Sequence, residues 1–303
     1  MCHLLATAAV SETTAMEVLQ TDSWQEALEL KAAHPQAVPI AGGTDLMVEL
    51  NFDRVRPEVI LDLTRIPDLT EWGADDGHLR VGAGVTYARL IAELGDRLPG
   101  LAIASRTVGS PQIRNRGTVG GNLGTASPAG DGLPPLFASD AEVELASRAG
   151  TRRIPIGEFV TGPKRHCLAD DELIAAFQIA PADGPQQFAK IGTRNAMVIA
   201  VCSLALSIWP GRRGVAACIG SAGPTPIRCG EAEGFIAGVL DEHDLWAKRA
   251  AIPVSALARF GELVDHAARP IDDVRGTARY RHHALGVLAR RTLTWAWEAY
   301  RCD

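Results

Sequence analysis

Residues 114–131, RNRGTVGGNLGTASPAGD, constrain the fold of this chain more than any other stretch. They place Gly117, Gly120, Gly121, Gly124 and Gly130 among Thr118, Asn122, Thr125 and Ser127, and they end on a single acid, Asp131. Glycine visits positive φ at little steric cost, so the run is expected to turn tightly and gather several backbone N–H groups into one concavity. A concavity of donors suits an anionic group, above all a pyrophosphate. An ordinary glycine-rich surface loop has the same composition, so the run does not decide the matter alone.

A second glycine loop lies upstream. Residues 37–40, AVPI, read as a short buried strand and lead into Ala41-Gly42-Gly43-Thr44-Asp45-Leu46. A strand running into Gly-Gly-Thr-Asp is another place where backbone amides meet phosphate. It is neither a Walker loop, since no Gly-Lys-Ser/Thr follows, nor the G-x-G-x-x-G fingerprint. Two such loops, each with Gly-Gly and Thr, suggest one dinucleotide held from two sides.

In this ordered pair the chain resembles the FAD-binding (medium) subunit of the molybdenum hydroxylases, the family of xanthine dehydrogenase and aerobic carbon monoxide dehydrogenase. Those proteins carry A-G-G-T/H-x-L and then T-I/V-G-G-N-x-x-x-x-S/D-P-x-x-D. Here the second motif is Thr118-Val119-Gly120-Gly121-Asn122 followed by Ser127-Pro128 and Asp131, with Gly130 where the family more often has Ala or Ser. The resemblance extends from about Trp24 to the C-terminal part, including Asp272-Asp273-Val274-Arg275 and Tyr280-Arg281.

The resemblance implies an α+β fold: a two-subdomain FAD-binding domain of the PCMH/vanillyl-alcohol-oxidase type, then a C-terminal α+β domain with a three-stranded antiparallel sheet and helices. It implies FAD as the cofactor of this chain. Ile40, Ala41, Gly42, Gly43, Thr44, Asp45 and Leu46 would hold it from one side, and Thr118, Val119, Gly120, Gly121, Asn122, Thr125, Ser127 and Asp131 from the other. By motif position Ile174 and Lys190 join them, although strand core and a surface cation are the plain alternatives for these two. Acids beside a pyrophosphate repel it unless they face elsewhere. Asp45 is therefore expected to turn its carboxylate to loop amides, and Asp131 to meet ribose hydroxyls. Arg114 and Arg116 face flavin phosphate, a neighbouring chain or solvent. Thr193 to Met197 lie where the acceptor side of the flavin would be shaped.

The resemblance also implies partners: a small subunit with two 2Fe–2S clusters and a large molybdopterin subunit, assembled as a dimer of heterotrimers. Electrons would pass from the clusters through FAD to NAD+, a quinone, O2 or a carrier. A free-standing FAD oxidase or reductase of the same fold, and a flavin-free assembly subunit, are the alternatives. No residue stands out as a catalytic acid or base, and no metal site is expected.

Composition narrows the classes further. A net charge of −6 without a Lys/Arg run argues against nucleic acid. Hydrophobic content of 47% over 303 residues supports a sizeable core and more than one domain. Six scattered cysteines without a C-x-x-C pair read as reduced, mostly buried thiols. No stretch approaches the roughly 18 consecutive apolar residues of a membrane span, so a cytoplasmic location is expected. Residues 1–22 read as a variable lead-in, 23–75 as the first FAD-binding subdomain, 76–184 as the second and 185–303 as the C-terminal domain. Within them, Ser23 and Glu26 form a capping-box pattern, Pro99 and Gly100 close a helix begun near Thr86, and 199–209 with 214–220 form a hairpin.

Overall fold

The computed structural model describes residues 16–302. The first layer contains β1 (Glu17–Gln20), α1 (Trp24–Ala33), β2 (Val38–Ile40), α2 (Leu46–Asn51) and β3 (Val59–Asp62). Its sheet has the order β1-β3-β2, with both outer strands parallel to β3. Val59, Ile60 and Leu61 of the central strand are buried, as an apolar run between two neighbours requires. The lead-in thus contributes a strand: β1 pairs with β3 from Glu17 to Gln20, and the remainder of the lead-in, residues 1–15, lies outside the described residues.

The cap of α1 departs from a reciprocal box. Ser23 Oγ accepts from Glu26 N at 3.4 Å, but the Glu26 carboxylate takes the Thr21 hydroxyl at 2.5 Å, and Thr21 Oγ1 in turn accepts from Ser23 N at 3.0 Å. An interposed threonine closes the circuit.

The second layer contains β4 (Trp72–Asp75), β5 (His78–Gly82), α3 (Tyr87–Glu93), α4 (Pro99–Thr107), α5 (Pro111–Arg116), α6 (Val119–Thr125), α7 (Leu133–Ala138), β6 (Glu142–Ser147), β7 (Gly150–Pro155), α8 (Ile156–Phe159), β8 (Val160–Gly162), β9 (Arg165–His166) and β10 (Leu173–Ile179). Five strands form an antiparallel sheet in the order β4-β5-β10-β6-β7. Strand β4, at residues 72–75, pairs with β5 and so belongs to this sheet rather than to the first. The central strand β10 arrives last in sequence, and its register breaks between Ile174 and Ala176.

Two expectations are corrected here. Pro99 does not close a helix: α3 ends before Leu94, and Pro99 opens α4 from a first-turn position, where its missing N–H costs nothing. The glycine run is not an open loop either, because Val119–Thr125 is helical. Between 114 and 131 the one positive φ belongs to Ala126, at 44°. The glycines serve close approach instead. A Cβ on Gly120 would lie 2.6 Å from Ala83 Cα, so α6 rests directly on the backbone beyond β5. Glycine weakens a helix by up to about 1 kcal/mol per residue; here Thr118 compensates as N-cap, its Oγ1 accepting from Gly121 N at 2.8 Å.

The third layer contains β11 (Gln186–Ile191), β12 (Cys202–Trp209), β13 (Gly214–Gly220), β14 (Ile227–Arg228), α9 (Gly230–Glu242), α10 (Leu245–Lys248), α11 (Val254–Ala267) and α12 (Ala278–Cys302). Its antiparallel sheet runs β11-β12-β13-β14, so a two-residue fourth strand joins the three expected. Every residue of β12 is buried. Ala205 and Trp209 face the core of the second layer, while Leu204, Leu206 and Ile208 face Phe260, Leu285 and Trp297 on the helical side. A sheet covered on both faces explains the unbroken apolar run. Cys167, Cys202, Cys218, Cys229 and Cys302 are free thiols, the middle three buried. Burial pushes the Cys202 and Cys229 thiols up to about 12.

Candidate cofactor site

The first loop, between β2 and α2, turns at Gly43, whose φ of 75° is unfavourable for any residue with a Cβ. Among the described residues, the backbone N–H groups of Gly42, Gly43, Thr44, Asp45 and Leu46 have no acceptor; the helical ladder begins with Met47 N to Gly43 O at 3.1 Å. Five successive unpartnered amides are the local consequence of a tight turn leading straight into a helix.

The second element is α6, and the backbone that leads into it, Arg116 at the end of α5 and Gly117, abuts the first loop. A Cβ on Gly42 would sit 2.6 Å from the Arg116 carbonyl carbon and 2.9 Å from Gly117 Cα. The backbones therefore touch at Gly42, where a side chain has no room. Two ties hold them in register. Thr125 Oγ1 lies 3.1 Å from Asp45 Oδ2 and 3.0 Å from the Gly121 carbonyl of its own helix, so its one proton is shared between the two acceptors. Lys164 Nζ binds Glu49 of α2 at 2.8 Å while Lys164 N donates to Ala126 O at 3.0 Å. The Asp45 carboxylate thus accepts a side-chain hydroxyl from the facing helix rather than loop amides, and it makes no cap bond to α2. Thr125→Val is expected to weaken cofactor binding about three- to tenfold, the worth of one partly exposed hydrogen bond of about 1 kcal/mol, read by titrating the apoprotein.

Ile174 lies under α6, at the register break of β10; a Cβ on Gly124 would be 3.7 Å from its Cδ1. Val119 is buried in the second-layer core, so only its backbone faces the site. Ile40, Ala41 and Leu46 are half-buried around the first loop. Asn122 turns its Oδ1 to Gly132 N at 3.2 Å, and Ser127 Oγ accepts from Ala129 N at 3.3 Å. These two side chains hold the end of the motif in shape. Arg114 donates to the Val108 and Gly109 carbonyls, both at 3.1 Å, whereas Arg116 is exposed.

Asp131 and Lys190 form a pair of their own. Lys190 Nζ lies 2.5 Å from Asp131 Oδ2, with side-chain exposures of 10% and 8%, which excludes the surface-cation reading. Its two other bonds go to the Thr107 and Val198 carbonyls, both at 3.0 Å. Asp131 Oδ2 also accepts from Thr107 Oγ1 at 3.2 Å, and its Oδ1 is buried without a partner. The acid expected at a ribose is thus engaged by a lysine from the next layer. Burial pushes its pKa upward against the opposing pull of Lys190 and the Thr107 hydroxyl.

Tyr87 completes the cluster, and motif spacing gave no sign of it. It is 3% exposed, and its hydroxyl lies 3.3 Å from where a Gly132 Cβ would stand. Burial, then Asp131 and Asp45, push its pKa upward and keep the phenol protonated.

The residues present fit an anionic dinucleotide. The first loop offers five free amides, Gly120 N on α6 also has no acceptor among the described residues, Asp131 is matched by Lys190, and Asp45 is bonded to Thr125. Residues 14–182 match the family described as the FAD binding domain in molybdopterin dehydrogenase. The chain is 31% identical over 281 residues to the xanthine dehydrogenase FAD-binding subunit of Escherichia coli O157:H7, covering 89% of this chain and 92% of that one. It is 32% identical over 220 residues to the nicotinate dehydrogenase FAD-subunit of Eubacterium barkeri, covering 67% and 72%. Carbon monoxide dehydrogenase from Hydrogenophaga pseudoflava superposes with a TM-score of 0.85 at 25% identity, over 95% of this chain and 98% of the other.

Proposed function

We propose, on the premise that this chain belongs to the family of FAD-binding subunits of the molybdenum hydroxylases, that it is the flavoprotein component standing between the iron–sulfur clusters of a partner subunit and the final electron acceptor. The acceptor is of the NAD+, quinone or O2 kind. The partners are a small 2Fe–2S subunit and a large molybdopterin subunit, in a dimer of heterotrimers. No described helix is long and apolar enough to cross a membrane, and the free buried thiols favour a reducing, cytoplasmic setting.

Bound FAD supplies the redox chemistry; the protein's task is to hold and orient it. The amides of Gly42 to Leu46 and of Gly120 would hold the pyrophosphate by neutral donors, so no excess positive charge is left to pair with competing anions. Thr125 and Asp45 fix the separation of the two walls. Ile174 offers an apolar surface beside Gly124. The Lys190–Asp131 pair keeps a carboxylate near the site compensated. The segment 193–197, just beyond β11, is exposed and would shape the acceptor side of the flavin. In this reading the parts are 23–75, 76–184 and 185–303, adjusted for β1 and β4, and the cofactor would be held between the first two.

The observation that carries this reading is the run of five unpartnered amides in a loop that a glycine helix meets at the Thr125–Asp45 contact. Absorbance of the purified chain tests it. Bands near about 370 and 450 nm are expected, with FAD rather than FMN released on denaturation. A colourless protein that cannot be reconstituted with FAD overturns the assignment.

A further inference from the structure

Two segments expose apolar side chains at one place, the first of them running on from the stretch 193–197. Met197 and Ile199, after β11, are 56% and 54% exposed; Ile271, Val274 and Tyr280, before and within the start of α12, are 69%, 102% and 48% exposed. The segments meet where Gly276 packs on Val201: a Cβ on Gly276 would lie 3.1 Å from Val201 Cγ1 and 3.9 Å from Tyr280 Cδ1. Ser221 joins them from below, donating from Oγ to Ala200 O at 2.6 Å and accepting from Arg281 Nη1 at 2.6 Å on its carbonyl.

The turn that carries Val274 is rigidly built. Asp273 accepts from Arg275 N at 2.8 Å and Gly276 N at 3.3 Å, and it pairs at 2.5 Å with Arg281, which is 3% exposed. A buried guanidinium is costly to desolvate, yet here its effect is to hold a fully exposed valine outward. Preorganised apolar knobs lose little entropy on docking, and contiguous exposed apolar surface marks association sites.

Charge says what kind of surface fits. Residues 192–200 and 269–280 hold four arginines, Arg194, Arg269, Arg275 and Arg279, against two aspartates. Both aspartates are engaged, Asp272 by Ala278 N at the start of α12 and Asp273 by Arg281 and Arg275. The apolar centre is therefore flanked by positive charge, and two copies meeting patch to patch would set arginines against arginines, which disfavours an isologous dimer through it.

We propose that the patch formed by Met197, Ile199, Ile271, Val274 and Tyr280 docks a different protein subunit, one presenting an apolar socket with an acidic rim. The inference rests on the reading of this chain as one component of a larger assembly.

The test uses the assembly itself, purified from its own cells through a tag on this chain, with wild type, Val274→Asp and Val254→Asp compared. Val254 is 82% exposed at the far end of the α11–α12 hairpin and serves as control. Val274→Asp is expected to lose another subunit, with at least about tenfold weaker association, while its flavin content and thermal transition match wild type. Val254→Asp is expected to retain all subunits. Hydrogen exchange at 271–276 is expected to be about tenfold slower in the assembly than in the free chain. Full subunit content in Val274→Asp, or exchange unaltered by assembly, overturns the proposal. So does a wild-type homodimer that Val274→Asp makes monomeric. A wild-type chain that brings no other subunit overturns the assembly reading instead, and the flavin spectrum is independent of both.

Discussion

Gly42→Ala is expected to purify with little or no FAD. The added methyl would stand 2.6 Å from the Arg116 carbonyl carbon and 2.9 Å from Gly117 Cα. These are backbone atoms, which cannot swing aside as a side chain would. The first loop must move off the Arg116–Gly117 backbone that leads into α6, which is expected to open the Thr125–Asp45 contact. Overpacking of this kind costs about 1–3 kcal/mol, and each 1.4 kcal/mol is about tenfold in affinity, so binding falls by about 10- to 100-fold. Flavin per chain, measured after denaturation, reads the effect. Gly157→Ala is the control, since a Cβ there meets no atom within 4 Å. Wild-type flavin content in Gly42→Ala would show that the two loops do not form one site.

Lys190→Met is expected to cause the largest loss of stability. It removes the cation from Asp131 and leaves the Thr107 and Val198 carbonyls without their donor. Breaking a buried pair by deleting one partner costs about 3–5 kcal/mol. At about 2–4 °C per kcal/mol for a protein of this general size, the melting temperature should fall by about 10 °C. The sign of the pH dependence follows from Asp131. Its pKa is already raised by burial, and Lys190 is the largest opposing influence; without Lys190 it rises further. An acid whose folded pKa is raised is most compatible with the fold when protonated, and its penalty grows as pH rises through that value. The deficit of Lys190→Met relative to wild type should therefore grow as pH rises and shrink on acidification. Asp131→Asn added to Lys190→Met should restore part of the loss, because an amide needs no counter-charge. A deficit independent of pH, or additive double-variant effects, would refute the pairing as the source of stability.

Much of the fold was legible because its signals are local. The Thr86 and Ser23 caps and the β12–β13 hairpin depend on neighbours in sequence, and each stands where expected. The conformation of the second motif was misjudged for a physical reason. Glycine is chosen either for positive φ or for absence of a side chain, and sequence does not distinguish the two. At Gly43 the first reason holds, and at Gly120 the second. Lys190 and Tyr87 illustrate the other limit. Lys190 meets Asp131 59 residues away, and nothing local specifies such a partner. Residues 17–20 paired with β3 because a parallel edge was available, which no turn signal announces.

The lateness of β10 has a consequence for how the living cell makes this protein. The strand that seats Ile174 beside Gly124 lies in the middle of its sheet but follows both of its neighbours in the chain, and Lys190 comes later still. While the ribosome is still translating the segments before β10, the glycine helix has been made but its floor has not. A nascent chain can thus carry both phosphate-binding motifs and yet be unable to close on a cofactor. The walls of the site are complete only once the chain from β10 to Lys190 has been added.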